Sequence, residues 1–147
     1  MTPKNQDKIS PSIMFWTISI IALLWYLMDM SAFFMRISMS DEMLLAMPEN
    51  QRLQIQNIPL WVNFVFAFEV FGGTFGCIGL LLRKKWALPL LIISLLGVLA
   101  QTTYIYFLSN SIAIMGGMAI VMPLVAMVIG SGLIIHAKSS ISKGWLS

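Results

Sequence analysis

The chain carries little charge. Only 10% of its 147 residues are charged, whereas soluble domains carry about 25%. Hydrophobic residues make up 59% of the chain, and a soluble fold of this length leaves too much surface exposed to hide them. This composition predicts an integral membrane protein whose main partner is the lipid bilayer. Its basic residues stand between apolar runs, which is typical of membrane orientation and predicts no nucleic-acid binding.

Catalytic and cofactor motifs are also missing. The sequence contains no CxxC, HExxH, GxSxG or P-loop, which predicts a protein that is not an enzyme and has no cofactor. The single cysteine, Cys77, has no partner for an internal disulfide and is interpreted as a small buried packing residue. His136 is expected at a helix end and is interpreted as interfacial, not as a metal ligand.

Four apolar runs each contain the roughly 20 residues needed to cross a bilayer. The predicted spans cover about residues 13–35, 59–82, 86–108 and 112–135, all in one domain. Residues 1–12 are predicted to form a loose tail. A signal peptide is the alternative, but the apolar run that follows is too long for one and has no clear cleavage site.

The connections between the spans predict how they are arranged. In the loop of about residues 36–58, Ser40 resembles a helix N-cap and Pro48 suits the start of a second helix. We expect short amphipathic helices there, lying on the membrane surface. The tight turns at residues 83–85 and 109–111 make the last three spans antiparallel neighbours. The predicted fold is an all-α, antiparallel four-helix transmembrane bundle.

Basic residues predict the orientation of this bundle. Arg36 and Arg52 fall on one side, and all other basic residues fall on the opposite side: Lys4, Lys8, Arg83, Lys84, Lys85, Lys138 and Lys143. The side of a bilayer that is richer in Lys and Arg is usually cytoplasmic. Both termini are therefore predicted to be cytoplasmic, with the loop of residues 36–58 outside.

Glu69 lies near the middle of the second span. A carboxylate at that depth costs at least about 2.5–3.5 kcal/mol, so it needs a partner, a proton or a water-filled cavity. It is either a protonated side chain that bonds a neighbouring helix or a carboxylate that binds substrate or couples protons. Gly72, Gly76 and Gly79 follow it at helical spacing, which predicts close helix packing.

Other polar residues enter the spans from the same side as the outer loop. Four of them are expected at depths near that of Glu69: Asp29, Asn63, Gln101 and Thr102. Together with Glu69 they are candidates for one substrate or proton pathway. The alternative is interhelical hydrogen bonding, at about 0.6 kcal/mol for each bond. Asp29 has a further alternative, which is simple solvation or pairing with Arg36.

Methionine is abundant and raises the question of a metal site. Met35, Met39, Met43 and Met47 are spaced four residues apart, and a stripe of thioethers on one helix would suit Cu(I). The cap expected at Ser40 would break such a helix, and methionine is an ordinary flexible filler of apolar surfaces. No metal site is predicted.

Several segments together resemble a known family. They are LLWYLMDMSAFFM, SDEMLLAMPENQR, IPLWVNFVFAFEVFGGTFG, LLLRKKWALPLLIISLLGVL and the terminal KGWL, and they cover nearly the whole chain. The chain is similar to a bacterial family of small four-span inner-membrane proteins that are often labelled sugar transporters. The resemblance implies a four-span fold in the inner membrane.

These observations together predict a small-solute or proton-coupled transporter, or a subunit of one. Four spans leave little room for a full pathway, so a homo-oligomer is expected. Its contact is placed on the glycine face of the second span, or at Gly116, Gly117 and Gly130 of the fourth. The alternative is an accessory or assembly protein whose polar residues only hold helices together.

Overall fold

The computed structural model describes residues 10–109 and 111–147, and every regular element in these ranges is helical. The predicted loose tail falls mostly outside them, as do Lys4, Lys8 and Asn110. The helices are α1 (Ile13–Ile37), α2 (Asp41–Leu45), α3 (Glu49–Gln56), α4 (Leu60–Leu81), α5 (Ala87–Thr103), α6 (Ser111–Met115) and α7 (Gly117–Ser142), with a π-helical segment at Tyr104–Leu108 after α5.

Four helical stretches are long and apolar enough to cross a bilayer: Ile13–Ile37, Leu60–Leu81, Ala87–Leu108 and Gly117–Ser142. They confirm the prediction of an all-helical chain with four long apolar helices. Large apolar side chains remain exposed on their outer faces, and Val128 on α7 is 73% exposed. Such surfaces suit a lipid environment, where apolar side chains need no burial inside the protein.

The segment between α1 and α4 forms two short helices, as predicted. The hydroxyl of Ser40 accepts a hydrogen bond from the backbone N–H of Met43 at 3.3 Å, which confirms it as the N-cap of α2. Because α1 ends at Ile37 and α2 begins at Asp41, the four evenly spaced methionines do not share a helix. The stripe of thioethers considered for Cu(I) is therefore absent from the structure.

α4 is the central helix of the bundle. Over an apolar stretch of 18 residues, 56% of the residues of α4 are buried, against 17–28% in the corresponding stretches of the other three long helices. α5 packs closely against the glycines of α4. A Cβ added at Gly72 would lie only 3.0 Å from the carbonyl oxygen of Leu90, and one added at Gly79 would lie only 2.9 Å from the Cβ of Ala87. Gly76 faces Leu91 in the same way. This glycine face is covered by α5 within the protomer, so it is not free for the oligomer contact expected there.

The other two long helices pack on either side of this pair. α1 lies against α4, where the ring of Tyr26 occupies the space left by Gly73 and the rings of Phe33 and Phe66 are 5.5 Å apart. α7 lies against α5, where a Cβ at Gly130 would be 3.1 Å from a methyl group of Leu95. The helices are therefore ordered α1–α4–α5–α7.

One end of the bundle is closed by the C-terminal residues. We call this end, with residues 82–86 and 143–147, the tail end. α4 and α7 both finish in a Schellman motif, with Arg83 (φ 58°) and Gly144 (φ 76°) in the left-handed conformation. The backbone N–H of Ser147 donates to the carbonyl of Arg83 at 2.9 Å, and the N–H of Lys85 donates to the carbonyl of Ser147 at 3.1 Å. The chain terminus is thereby fixed to the α4–α5 turn.

The fourth predicted span needs two corrections. Its start is interrupted at Gly116, which has φ 65° and separates α6 from α7. Its end lies at Ser142 instead of residue 135, because no glycine or proline follows before Gly144. His136 consequently lies inside α7 and not at a helix end. Its ring is 5.2 Å from that of Phe15, and its Nε2 is 3.5 Å from the hydroxyl of Ser19.

Candidate functional site

A cavity of about 290 Å³ lies at the opposite end of the bundle. We call this end, with residues 38–59 and 109–116, the loop end. All four long helices contribute to the cavity wall, and Gln54 of α3, Ile58 and Ser111 of α6 complete it. The amide of Gln54 donates a hydrogen bond to the hydroxyl of Ser111, which joins the two short helices above the cavity. The loop between α1 and α4 therefore forms part of the site.

Glu69 forms the base of this cavity and is only 5% exposed. Val62, Phe66 and Glu69 stand at intervals of four and three residues on α4, so they share one helical face. The amide Nε2 of Gln101 on α5 donates a hydrogen bond to Oε2 of Glu69. The two helices come close enough for this bond because Gly97 of α5, which has no side chain, faces Glu69. A Cβ added at Gly97 would lie only 2.9 Å from the Cβ of Glu69.

A buried polar layer lies directly below Glu69, on the side of the tail end. The hydroxyl of Ser94 donates to the backbone carbonyl of Glu69 at 2.7 Å and is 3.3 Å from the hydroxyl oxygen of Tyr26. Tyr26 is 2% exposed and Ser94 is fully buried. This layer ties α1, α4 and α5 together, and it fixes the backbone from which Glu69 projects.

One face of α1 supplies both charge and aromatic surface to the cavity. Trp25, Asp29 and Arg36 line it, at spacings of four and seven residues. The guanidinium of Arg36 lies over the ring of Phe66, 4.4 Å from the ring centroid. Its Nη1 atom is buried and has no hydrogen-bond partner within residues 10–109 and 111–147. Arg36 thus places a positive charge in the same cavity as Asp29 and Glu69.

Four of the five predicted pathway residues line this cavity: Asp29, Glu69, Gln101 and Thr102. The hydroxyl of Thr102 donates to the carbonyl of Val98 at 2.7 Å, so its hydrogen is used within α5. Asn63 does not line the cavity, so the structure does not bring it together with the other four. It precedes Glu69 by six residues, which rotates it by roughly 120° around the helix. Its buried Oδ1 has no hydrogen-bond partner in the part of the chain that the structure describes.

Sequence reasoning missed several residues of the site. Arg36 was counted for orientation and as a pairing partner for Asp29, but not among the pathway residues. Gln54, Tyr104 and Ser111 also line the cavity. Gln54 and Ser111 lie in segments connecting the spans, where helical periodicity gave no signal. Their positions depend on how the loop folds back over the bundle.

Comparisons with protein-family models, curated proteins and solved structures gave no match to this chain. The resemblance to small four-span inner-membrane proteins stays a prediction from the sequence. The function therefore has to be inferred from the site itself.

Proposed function

We propose that the chain is a multi-pass protein of the bacterial inner membrane that binds a small solute in the loop-end cavity. In this proposal it transports the solute together with protons, alone or as a subunit of a transporter. The main support is Glu69, a carboxyl group 5% exposed at the base of a cavity between four apolar helices. Intramembrane acids of this kind are expensive to bury and are usually associated with ion or solute pathways.

The size of the cavity favours a small solute. Its volume of about 290 Å³ is near the lower limit of ordinary ligand pockets, which range from about 300 to 1,000 Å³. Apolar side chains such as Val98 and Met122 form much of the wall, and a few polar groups converge on the interior. This combination is typical of small-molecule sites, in which the polar groups determine orientation and specificity.

The two ends of the bundle favour transport over simple binding. The cavity lies at the loop end, whereas the tail end is closed by Leu146, which is 3% exposed, and by the hydrogen bonds of Ser147. Alternating access requires a central site closed toward one side of the membrane at a time. We therefore assign this structure to a state that is closed between Glu69 and the tail end.

The orientation follows from the distribution of basic residues. At the tail end, the described residues include Arg83, Lys84, Lys85, Lys138 and Lys143. At the loop end they include Arg52 and the inward-facing Arg36. The proposal accordingly places the tail end in the cytoplasm and the loop end outside.

Labelling of single cysteines in intact cells tests this orientation. An impermeant maleimide should modify an Arg52→Cys variant but not a Lys84→Cys variant, and Cys77 is buried and should give little background. The reverse pattern would contradict the proposed orientation.

Reconstitution into liposomes tests transport. With a pH-sensitive dye trapped inside, we expect external solutes from a panel of amino acids, amines, carboxylates and sugars to move protons in a protein-dependent way. Glu69→Gln should abolish this movement because the amide cannot carry a proton across. Glu49→Gln is the matched control, since Glu49 is exposed on α3 and does not line the cavity.

An accessory or assembly protein is the second candidate. The hydrogen bond from Gln101 to Glu69 favours it, because this bond holds α5 to α4 whether or not a solute binds. In that case the parent protein would move no protons with any solute in the panel. Glu69→Gln would then lower only the stability of the bundle.

A further inference from the structure

We infer that the loop-end cavity selects a small zwitterion, whose acidic group pairs with Arg36 and whose amino group pairs with Asp29 and Glu69. This inference rests on the solute binding proposed above and names the class of solute. It depends on the geometry of three charged side chains that line one cavity.

Arg36 is placed to receive the acidic group. Its guanidinium stacks on Phe66 at 4.4 Å, so the ring holds the planar group in position. Its Nη1 atom is buried but donates to no acceptor in the described ranges 10–109 and 111–147. Buried charged donors nearly always have an acceptor, and the fork of an arginine matches a carboxylate in geometry and charge. A carboxylate of the solute supplies that acceptor.

The amino group is accounted for by the two acids. Asp29 lies seven residues before Arg36 on α1, which is about 10 Å along the helix. Glu69 lies at the base of the same cavity, and the amide of Gln101 donates to only one of its oxygens, Oε2. An ammonium group between these carboxylates is attracted to both.

The alternatives fit this set of charges less well. An anion without an amino group would meet Arg36 but also two carboxylates, and a simple cation would meet those carboxylates but also Arg36. Like charges that approach within a poorly hydrated cavity repel each other strongly. A neutral sugar would offer no carboxylate acceptor to the buried Nη1 atom of Arg36. Only a solute with both charges pairs all three side chains.

Binding of three four-carbon compounds to the full-length protein in detergent micelles tests the inference. γ-Aminobutyrate is the zwitterion, butyrate lacks its amino group, and n-butylamine lacks its carboxylate. By calorimetric titration we expect γ-aminobutyrate to bind at least roughly tenfold more tightly than either, because each single-charge compound forgoes one charge-assisted contact. Glucose serves as the neutral comparison and should bind more weakly still.

Variants then locate the two contacts. Arg36→Gln should weaken γ-aminobutyrate roughly tenfold while leaving n-butylamine unchanged or tighter, and Arg36→Lys should restore part of the loss. Asp29→Asn should weaken both amines and leave butyrate unchanged or tighter. Arg52→Gln is the matched control, because Arg52 also lies at the loop end but does not line the cavity. Its affinities should equal those of the parent protein.

Several results would overturn the inference. Butyrate, n-butylamine or glucose binding as tightly as γ-aminobutyrate to the parent protein would exclude selection of a zwitterion, without any variant having to fold. An equal loss in Arg52→Gln would show a general effect of surface charge. The proposed transport is judged separately in liposomes. If the zwitterion binds but moves no protons, only the proposed transport is contradicted. If another class of solute moves protons, only the inference of a zwitterion is contradicted.

Discussion

The tail end and the loop end of this bundle are built from the same four helices but in opposite ways. At the tail end, Phe15 is 1% exposed, and its ring centroid lies 5.2 Å from that of His136 and 5.7 Å from that of Trp145. At the loop end, the same helices leave a cavity of about 290 Å³, which Phe66 and Glu69 help to line. Close packing at one end holds the helices together while the other end keeps space between them.

The chemistry of the side chains explains this difference. The tail end is lined by aromatic and small apolar residues, and Cys77, Leu80 and Ala87 are all fully buried there. In lipid, helices associate through such close contacts because the surrounding hydrocarbon is as apolar as they are. At the loop end, Asp29, Arg36 and Glu69 cannot pack into a dry core without losing solvation. Polar groups thus keep the cavity from collapsing.

The largest effect should come from removing a ring at the tail end. Phe15→Ala should lower the free energy of unfolding by about 3 kcal/mol, because the ring is enclosed and leaves a void. Phe66→Ala should cost less, about 2 kcal/mol, since the Phe66 ring already borders a cavity. Reversible unfolding in mixed detergent micelles measures both values. Equal losses would mean that the two ends are packed alike.

The contact between α1 and α4 offers the next test. A Gly73→Val variant places methyl groups where the ring of Tyr26 lies, so α1 must move away. Overpacking of this kind should cost about 2 kcal/mol. Gly132→Val is the matched control, because a Cβ added at Gly132 on α7 would meet nothing within 4 Å beyond its chain neighbours and the backbone of its own helix.

The unfolding transition of the Gly132→Val variant in micelles should stay within about 0.5 kcal/mol of the parent. If Gly73→Val were equally harmless, the packing of Tyr26 against α4 would have no role in holding the bundle together.

The smallest effect concerns the polar pair at the base of the cavity. Gln101→Leu removes the donor to Glu69 and should cost about 1 kcal/mol, because a buried acceptor loses its partner. Glu69→Leu should cost a similar amount by leaving the Gln101 amide unpaired. The variant that carries both substitutions should recover much of the loss. The free energies of unfolding of the parent, the two single variants and the double variant give the coupling energy between the two side chains. Additive losses would show that the two side chains act independently.

Much of the fold was predictable because helix length and apolar composition are local properties. The ends of the first and second spans agree with α1 and α4 within two residues. The N-cap at Ser40 was equally clear, since a short hydroxyl side chain before two acids is a local signal. The pairing of α4 with α5 followed from a turn too short to permit any other neighbour.

The cavity was only partly predictable, because it depends on how helices rotate about their axes. Glu69 and Gln101 were expected at nearby depths and are joined by a hydrogen bond, but depth alone also admitted Asn63, which lies on a different face of α4. The roles of Gln54 and Ser111 required the path of the connecting segments. The π-helical segment at Tyr104–Leu108 had no signal in the sequence. In the structure, the hydroxyl of Tyr106 in this segment donates to the carbonyl of Ile120, three residues before Pro123 in α7.

The short turn between α4 and α5 has a consequence for biogenesis. These two helices are joined by residues 82–86 and meet along a row of glycines, so they can form a hairpin as soon as both have left the ribosome. α1 is synthesised earlier, but its Tyr26 fits into a notch at Gly73 that lies some fifty residues later in the chain. α1 can therefore join the bundle only after the hairpin that carries its binding surface has been made.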